Sequence, residues 1–226
     1  MIVGGGANPY TLIGVMCLVG VVPLLVGFAT AYLKLSIVLG MLRNALGGQQ
    51  VPGQIVTSAL ALVLTLVVME PVILGSLQRV ETIDLKALGA HPLREGRLLV
   101  ERAGEPWREF LLQHTGMRER KTLERLMHLE PKEKVDSPTV LSPEPTLVVL
   151  LGGFMLTELR EAFVMACVLL VPFVVIDLVI ANLLVGLGMF MLSPVMLTLP
   201  IKLAAFCAVD GWLLLTEALV RSYRGG

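Results

Sequence analysis

The sequence predicts an all-α, membrane-associated protein that is built from helical hairpins and interrupted by a small, charged helical insert. Hydrophobic residues make up 55% of its 226 residues, and its mean hydropathy of +0.81 is far above that of a soluble domain. Two thirds of the charged residues and all three histidines lie within residues 76–145. No stretch alternates polar and apolar residues over the length of a convincing strand.

These changes in composition divide the chain into three regions. Residues 1–75 are expected to form an N-terminal hydrophobic hairpin, 76–145 a charged insert with a Pro-rich linker, and 146–226 a C-terminal hydrophobic hairpin. The formal net charge is zero, so no basic excess indicates a nucleic-acid partner. Residues 1–33 carry no charge, unlike the basic start of a cleavable signal peptide, and the first apolar run is therefore expected to be retained.

The N-terminal region is predicted to be two apolar runs joined by a polar loop. The first run extends from Tyr10 to about Leu42, and Pro23 is expected to kink it. The loop, Leu42–Gln54, contains Arg43 and no acid, which places it in the cytoplasm by the positive-inside rule. The second run, Ile55–Leu74, then places the charged insert on the extracytoplasmic side.

Two amphipathic helices are predicted in the insert, over Glu105–Thr115 and Arg118–Glu130. Arg120 and Glu124 are spaced to form an ion pair on the second helix. The apolar positions that share one helical face are Trp107, Phe110, Leu111 and His114 in the first helix, and Leu123, Leu126 and Met127 in the second. An insert of this length has only a thin core, so we expect it to pack against another part of the assembly.

The C-terminal region is organised around Ala162–Trp212, in which two long apolar arms flank the break Gly186–Pro194. Each arm is long enough to cross much of a hydrocarbon layer, which takes about 20 helical residues. A loop that faces water is normally polar, yet this one carries Met189, Phe190 and Met191. Three large apolar side chains at the tip of a hairpin require a partner surface or a function.

Asp177 and Lys202 lie at equal distances along the chain from the centre of this break, between Met189 and Phe190. In an antiparallel hairpin they are therefore at the same height. One interpretation is a buried ion pair, either across the hairpin or between neighbouring copies, because an unpaired buried charge is costly. The other is that each side chain extends separately to a polar boundary.

The segment Thr157–Glu161 interrupts the third apolar run with Glu158, Arg160 and Glu161. It is either a loop between two short spans or a buried polar layer that pairs with bases of other helices. Lys34 is a candidate partner for such a layer, since it is the one charged residue of the first apolar run.

Motifs of enzymes and metal sites are absent from the sequence, and no catalytic residue, metal ligand or cofactor is predicted. His91, His114 and His128 are not spaced like metal ligands, and Asp177 and Asp210 lack the flanking motifs of an intramembrane aspartyl pair. The cysteines, which are Cys17, Cys167 and Cys207, lie in apolar runs without CxxC spacing and are expected to be buried.

Two stretches resemble the SctR/FliP family, which includes YscR. They are LRNALGGQQVP (Leu42–Pro52), followed by MEPV, and Leu170–Trp212. The positions that match the loop motif are Arg43, Asn44, Gln49 and Gln50. The order of apolar runs around a charged insert also matches this family, which forms the core export apparatus of bacterial type III secretion systems and flagella. The charged insert and the missing signal peptide favour the virulence-type branch.

The resemblance implies a non-enzymatic, pore-forming subunit of an export gate that conducts unfolded proteins across the bacterial inner membrane and seals the channel at rest. It implies an oligomeric pore, a homo-oligomer of five copies, in contact with membrane lipid and with SctS-like and SctT-like proteins. SctU-like and SctV-like components are further implied partners, and the assembled complex is displaced toward the periplasm. The family's gate maps onto Met189, Phe190 and Met191, although a methionine is common at position 190. Its buried charges map onto Lys34, Glu158, Asp177 and Lys202.

Two other functions are compatible with the residues. One is a small secondary transporter in which Asp177 and Lys202 relay protons, although the two halves show no repeat of the kind common in transporters. The other is an assembly scaffold that never lines a channel.

Overall fold

The computed structural model describes residues 16, 20, 27–47, 53–81, 92–127 and 145–224. Throughout these ranges the regular structure is helical, which confirms the all-α prediction there. The helices are α1 (Tyr32–Ala45), α2 (Gln54–Glu81), α3 (Pro92–His114), α4 (Met117–Leu126), α5 (Leu147–Gly186), α6 (Val195–Ala208) and α7 (Gly211–Arg224).

Helices α2 and α5 are long and apolar enough to cross a membrane, and they are the two single helices in the described ranges that meet this test. Helices α6 and α7 would together provide a third span, bent by 64°. The 40 residues of α5 extend over roughly 60 Å at 1.5 Å per residue. This length is about twice the thickness of a hydrocarbon layer, about 30 Å, so much of α5 lies beyond any single crossing.

Helix α1 lies at the centre of the fold, between α2 and α5. Its buried Leu35 and Val38 pack in one core with Phe154 of α5. Phe110 and Leu111 of the charged insert belong to the same core. The insert therefore leans on the hydrophobic hairpins, as its length predicts, and it shares their core instead of forming a separate lobe.

Two helices extend further than the sequence predicts. Helix α1 continues to Ala45, so the prediction of a loop from Leu42 is wrong for its first four residues. Helix α2 continues through Pro71 to Glu81, past the predicted domain boundary after residue 75. A proline inside a helix costs about 3 kcal/mol. Here Met69 and Val72, which flank Pro71, are buried in the core, and their packing offsets that cost.

Several residues of the predicted apolar faces and runs are exposed. Leu126 and Met127 of the predicted second insert face are open, whereas Leu123 packs against α5 at Gly152. Cys167 and Cys207 are also exposed, because they lie on apolar surfaces of α5 and α6 that the other described residues do not cover. Cys17 and the predicted kink at Pro23 lie outside the described residues.

The second arm of the C-terminal hairpin is broken between α6 and α7, where the sequence suggests a continuous run to Trp212. Asp210 adopts a left-handed conformation with φ of 50° at the break. A Cβ atom at Gly211 would approach the Phe206 ring to 2.3 Å, so only glycine allows this ring to lie against the backbone. The Phe206 ring also meets Trp212 edge to face at 5.3 Å between centroids, which fixes the direction of α7.

Candidate functional site

The hairpin of α5 and α6 ends in a tightly closed turn. Gly188 has a φ of 72°, the left-handed conformation that glycine adopts without steric cost. The backbone N–H of Met189 donates to the carbonyl of Leu184 at 2.9 Å, and that of Gly188 donates to Val185 at 3.0 Å. These bonds form a Schellman motif, which ends α5 and fixes the direction in which the following residues leave the helix.

The apolar triplet Met189, Phe190 and Met191 lies at the tip of this turn, where the sequence predicts the gate. All three side chains are exposed, and the Phe190 side chain is too far from the core to pack in it, with 77% of its surface accessible. The fold thus presents three large apolar groups at one end of a rigid hairpin. They can contact another protein surface or the same residues of neighbouring copies.

The hairpin is held at mid-height by Asp177 and Lys202. The Nζ atom of Lys202 donates to a carboxylate oxygen of Asp177 at 2.6 Å and to the carbonyl of Ala45 at 2.9 Å. Ala45 ends α1, where carbonyls lack intrahelical partners and the helix dipole is negative. Asp177 and Lys202 therefore form an ion pair with each other across the hairpin, and the two side chains do not extend separately to a polar boundary. The same ammonium also ties the hairpin to α1.

The residues that follow α1 pack directly against the hairpin. Gly47 has a φ of 120°, and a Cβ atom there would lie 2.8 Å from a methyl carbon of Leu199 in α6. Arg43 and Asn44 of the family loop motif lie in the last turn of α1, and the Nε atom of Arg43 is buried without a hydrogen-bond partner among the described residues. The other two motif positions, Gln49 and Gln50, lie outside those residues.

A second buried ionic cluster surrounds Lys34, whose side chain is fully buried in α1. Its Nζ atom lies 2.6 Å from Glu161 and 3.3 Å from Glu158, both on α5. The hydroxyl of Tyr223 in α7 donates to the second oxygen of Glu158, and Lys34 lies 4.1 Å from the centroid of the Tyr223 ring. The cluster links the first, fifth and seventh helices through charge-assisted hydrogen bonds and a cation–π contact.

The segment Thr157–Glu161 is therefore part of a continuous helix, and the interpretation of it as a loop is wrong. Sequence reasoning named Lys34, Glu158, Arg160 and Glu161 for this layer and missed Tyr223. Glu161 follows Glu158 by one helical turn, so both carboxylates can reach Lys34. Arg160 lies outside the cluster and donates instead to Glu119 of α4. Tyr223 carries no comparable signal, because its position depends on how α7 folds back after the bend.

A metal site is not formed by the described side chains, which contain no cluster of three or more His, Cys, Asp or Glu residues. His114 uses its ring nitrogens locally: Nδ1 lies 2.9 Å from the carbonyl oxygen of Phe110, and Nε2 lies 3.2 Å from that of Tyr223. It thereby helps to pack the insert against α7. His91 and His128 lie outside the described residues.

Comparison with known proteins gives one family over nearly the whole chain. The FliP family profile matches residues 15–219. The hypersensitivity response secretion protein HrcR of Ralstonia nicotianae is 38% identical over 215 residues, which cover 95% of this chain and 97% of that protein. The surface presentation of antigens protein SpaP of Shigella flexneri is 35% identical over 221 residues, with coverage of 94% and 95%.

A third relative, the Yop proteins translocation protein R of Yersinia pestis, is 35% identical over 215 residues, covering 95% of this chain and 96% of the relative. Each of these relatives covers 94% or 95% of the chain. The resemblance that the loop and hairpin motifs indicate is thus confirmed, and the chain belongs to the FliP family.

Proposed function

We propose that this protein is the pore-forming subunit of a type III secretion export gate of the virulence-type branch. It conducts unfolded protein substrates across the bacterial inner membrane and seals the channel at rest. The names of its relatives describe secretion and translocation proteins, which supports a role in protein export. Enzymatic chemistry has no part in this function, and energy comes from other components.

The observation that carries the proposal is the exposed tip formed by Met189, Phe190 and Met191. Several copies around an axis would bring these side chains together into a ring. A narrow apolar ring blocks ions by dewetting and needs no charge. Methionine is unbranched and flexible, so the ring can still repack around a passing polypeptide.

Assembly is supported by the apolar surfaces of α2 and α5 that the other described residues leave open. We infer a homo-oligomer, a pentamer, that also binds SctS-like and SctT-like proteins and contacts SctU-like and SctV-like components. Contact between copies would cover surfaces such as those around Leu66 and Val168. In this arrangement the complex lies in the inner membrane, displaced toward the periplasm, with the insert on the extracytoplasmic side.

The proposal is tested by replacing Met189, Phe190 and Met191 together with alanine in the intact complex. We expect increased ion conductance of the resting membrane, because the smaller side chains leave a wider, wettable opening. Alanine at the exposed Val195 and Met196, just beyond the turn, is the matched control. If the triple variant assembles normally and stays as ion-tight as the unaltered complex, the gate assignment is wrong and a static scaffold explains the tip.

The ion pair between Asp177 and Lys202 supports a second candidate function, a proton-coupled transporter. A cavity of about 560 Å³ lies beside the pair and is lined by both residues, which gives solvent a path to the half-exposed carboxylate. A relay requires the pair to exchange protons, so Asp177→Asn would abolish proton flux while leaving the tip intact. Unchanged proton flux in an Asp177→Asn variant that assembles normally would exclude the relay.

A further inference from the structure

Most charged side chains of α1, α5, α6 and α7 have an ionic partner within the chain. The pairs are Lys34 with Glu158 and Glu161, Arg160 with Glu119, Asp177 with Lys202, and Glu217 with Arg221. On these helices and at the break between α6 and α7, three charged residues have no ionic partner among the described residues, and these are Arg43, Asp210 and Arg224. Arg224 ends the described chain and is exposed to solvent. Arg43 and Asp210 lie within the helical body, where an unpaired charge is costly.

Arg43 lies in the last turn of α1, on a different face from the one that contacts the hairpin. Its neighbour Leu42 is buried in an apolar cluster with Phe173 and Phe206 of the hairpin. Successive residues of a helix point about 100° apart, so Arg43 is turned away from this cluster. Its Nε atom is buried without a hydrogen-bond acceptor among the described residues, while the side chain as a whole is partly exposed. The guanidinium therefore lacks an anionic partner and can be reached from outside the chain.

Asp210 lies at the break between α6 and α7, among apolar side chains that are themselves exposed. Val209 on one side of it and Leu213 on the other are both open. Together α6 and α7 can form one bent membrane span, and Asp210 then lies near its middle. A carboxylate at that depth is expensive unless a base pairs with it.

The register of the hairpin gives the height of Asp210. Asp177 pairs with Lys202, and the Phe173 ring lies 6.2 Å from the Phe206 ring. A step of four residues back along α5 thus corresponds to a step of four residues forward along α6. Asp210, eight residues after Lys202, lies about 12 Å from the level of the ion pair, on the side away from the tip.

The height of Arg43 follows from the contacts of α1. The carbonyl of Ala45 accepts a hydrogen bond from Lys202, and Lys34 contacts the N-terminal half of α5. Helix α1 therefore runs beside α5 in the same direction. Arg43 precedes Ala45 by two residues, so it lies about 3 Å from the level of the ion pair, on the same side as Asp210. The two charges differ in height by about 9 Å, a gap that the long arginine side chain largely spans.

We propose that Arg43 of one copy binds Asp210 of the next copy in the homo-oligomer. The inference rests on the oligomer of the proposed function and identifies a contact that joins its subunits. A contact between two different surfaces, repeated around a rotation axis, closes into a ring. Around an axis parallel to the hairpin, neighbouring copies lie at equal height, so charges of similar height can meet. Every Arg43 and every Asp210 then has a partner. Arg224 lies at the far end of α7, about 21 Å from Asp210, and does not meet this condition.

Disulfide cross-linking between two differently tagged chains tests the contact. One full-length chain carries Arg43→Cys and the other Asp210→Cys, and the native cysteines of both are replaced by serine. After co-expression and oxidation in the membrane, we expect a dimer that contains both tags and separates on reduction. Either variant expressed alone should give little dimer, because the contact joins two different residues. Arg43→Cys with Met196→Cys, an exposed position of α6 near the tip, is the matched control and should stay monomeric on a denaturing gel.

A double-mutant cycle measures the contribution of the charges without any new cysteine. Arg43→Gln and Asp210→Asn each remove one charge, and asparagine tolerates the left-handed backbone at position 210. Each single variant should lower the ratio of oligomer to monomer on native gels about tenfold, because close charge pairs at interfaces are strongly coupled. The double variant should lose no more than the weaker of the two single variants. Arg221→Gln, which removes an exposed charge of α7, should keep assembly.

The inference is overturned if the two tags stay separate while the oligomer is present, or if the two single losses add in the double variant. A disulfide from either cysteine to a different protein would assign that charge to another partner and also overturn it. The cycle keeps the inference testable if a cysteine variant fails to fold. Absence of any oligomer in the unaltered protein would overturn the homo-oligomer itself, so the two failures are distinguishable.

Discussion

Asp177 and Lys202 are joined at 2.6 Å, although 25 residues separate them along the chain. Their environments differ: the side chain of Lys202 is 8% exposed and that of Asp177 is 45% exposed. Loss of its partner therefore destabilises the buried ammonium of Lys202 more than it destabilises the carboxylate of Asp177, which water can reach. The carbonyl of Ala45 supplies the second hydrogen bond of Lys202 but no negative charge.

This asymmetry predicts that Asp177→Ala is more damaging than Lys202→Met. The first change leaves a buried ammonium without its counter-ion, and breaking a buried pair in this way typically costs about 3–5 kcal/mol. The second leaves a carboxylate that water can still reach. We expect Asp177→Ala to disrupt the oligomer on native gels while expression persists, and Lys202→Met to do so less. Equal, unaltered assembly of both variants would show that the pair has no role in assembly.

The double variant of Asp177→Ala with Lys202→Met is the internal control for this prediction. It removes both charges, so no uncompensated charge remains. It should assemble better than Asp177→Ala alone. If the loss of assembly in the double variant equalled the sum of the losses in the two single variants, Asp177 and Lys202 would not be energetically coupled.

Gly47→Ala should loosen the contact between the end of α1 and the hairpin of α5 and α6. Alanine is strained at a φ of 120°, and its Cβ atom would lie 2.8 Å from Leu199. Gly53→Ala is the matched control, since a Cβ atom there meets nothing within 4 Å. We expect a lower thermal midpoint in detergent for Gly47→Ala alone. Adding Leu199→Ala should restore only the steric part of the loss, because the backbone strain persists.

Tyr223→Phe should destabilise the fold without removing the aromatic ring from Lys34. The variant loses the hydroxyl that donates to Glu158 and also lies 3.4 Å from the carbonyl oxygen of Ala31. Leaving buried acceptors without a donor costs on the order of 1–3 kcal/mol. Denaturation in detergent should show this loss, and Ser222→Ala, which removes a hydroxyl with a local backbone bond on the same helix, should show less. Identical stability of the two variants would contradict the proposed link between α5 and α7.

The predicted extracytoplasmic position of the insert can be tested with a single cysteine. Arg102 of α3 is exposed, so Arg102→Cys in a background without the native cysteines provides one accessible thiol there. We expect a membrane-impermeant reagent to label it in intact spheroplasts. A matched Asn44→Cys variant, at the exposed end of α1 on the predicted cytoplasmic side, should react only after lysis. The reverse pattern would invert the topology.

Phe190→Met tests whether the aromatic ring at the tip has a specific role. The substitution restores the residue that is common in the family, so we expect the resting seal to be kept. Phe190→Ala removes most of the side chain and should raise the leak of ions. A leak in Phe190→Met equal to that in Phe190→Ala would mean that the ring itself, and not an apolar group of its size, closes the channel.

The pairing across the hairpin could be predicted because an antiparallel turn converts distance along the chain into height. The same reasoning placed Met189 at the tip. The buried layer at Glu158 was also visible, since charge inside an apolar helix requires a partner. These features depend on local spacing and on the cost of burying charge, both of which the sequence contains.

Other features depend on long-range packing and were missed. Helix α2 continues through Pro71 because the nearby Met69 and Val72 are buried in the core, and this burial can be seen only in the three-dimensional structure. The bend before α7 could have been found, because Asp210 and Gly211 form a dipeptide that favours turns. The exposure of Cys167 and Cys207 could not, since apolar composition does not distinguish the core of one chain from a surface meant for another.

The open apolar flank of α5 also affects how the cell supplies this protein. Residues such as Val168 and Leu183 are not covered by the part of the chain that the structure describes, so we expect a newly made subunit to rest in lipid until its neighbours arrive. Subunits produced in excess would remain orphaned and would be cleared by membrane proteolysis. The amount of stable protein would then follow its scarcest companion, which would set stoichiometry after translation without a dedicated regulator.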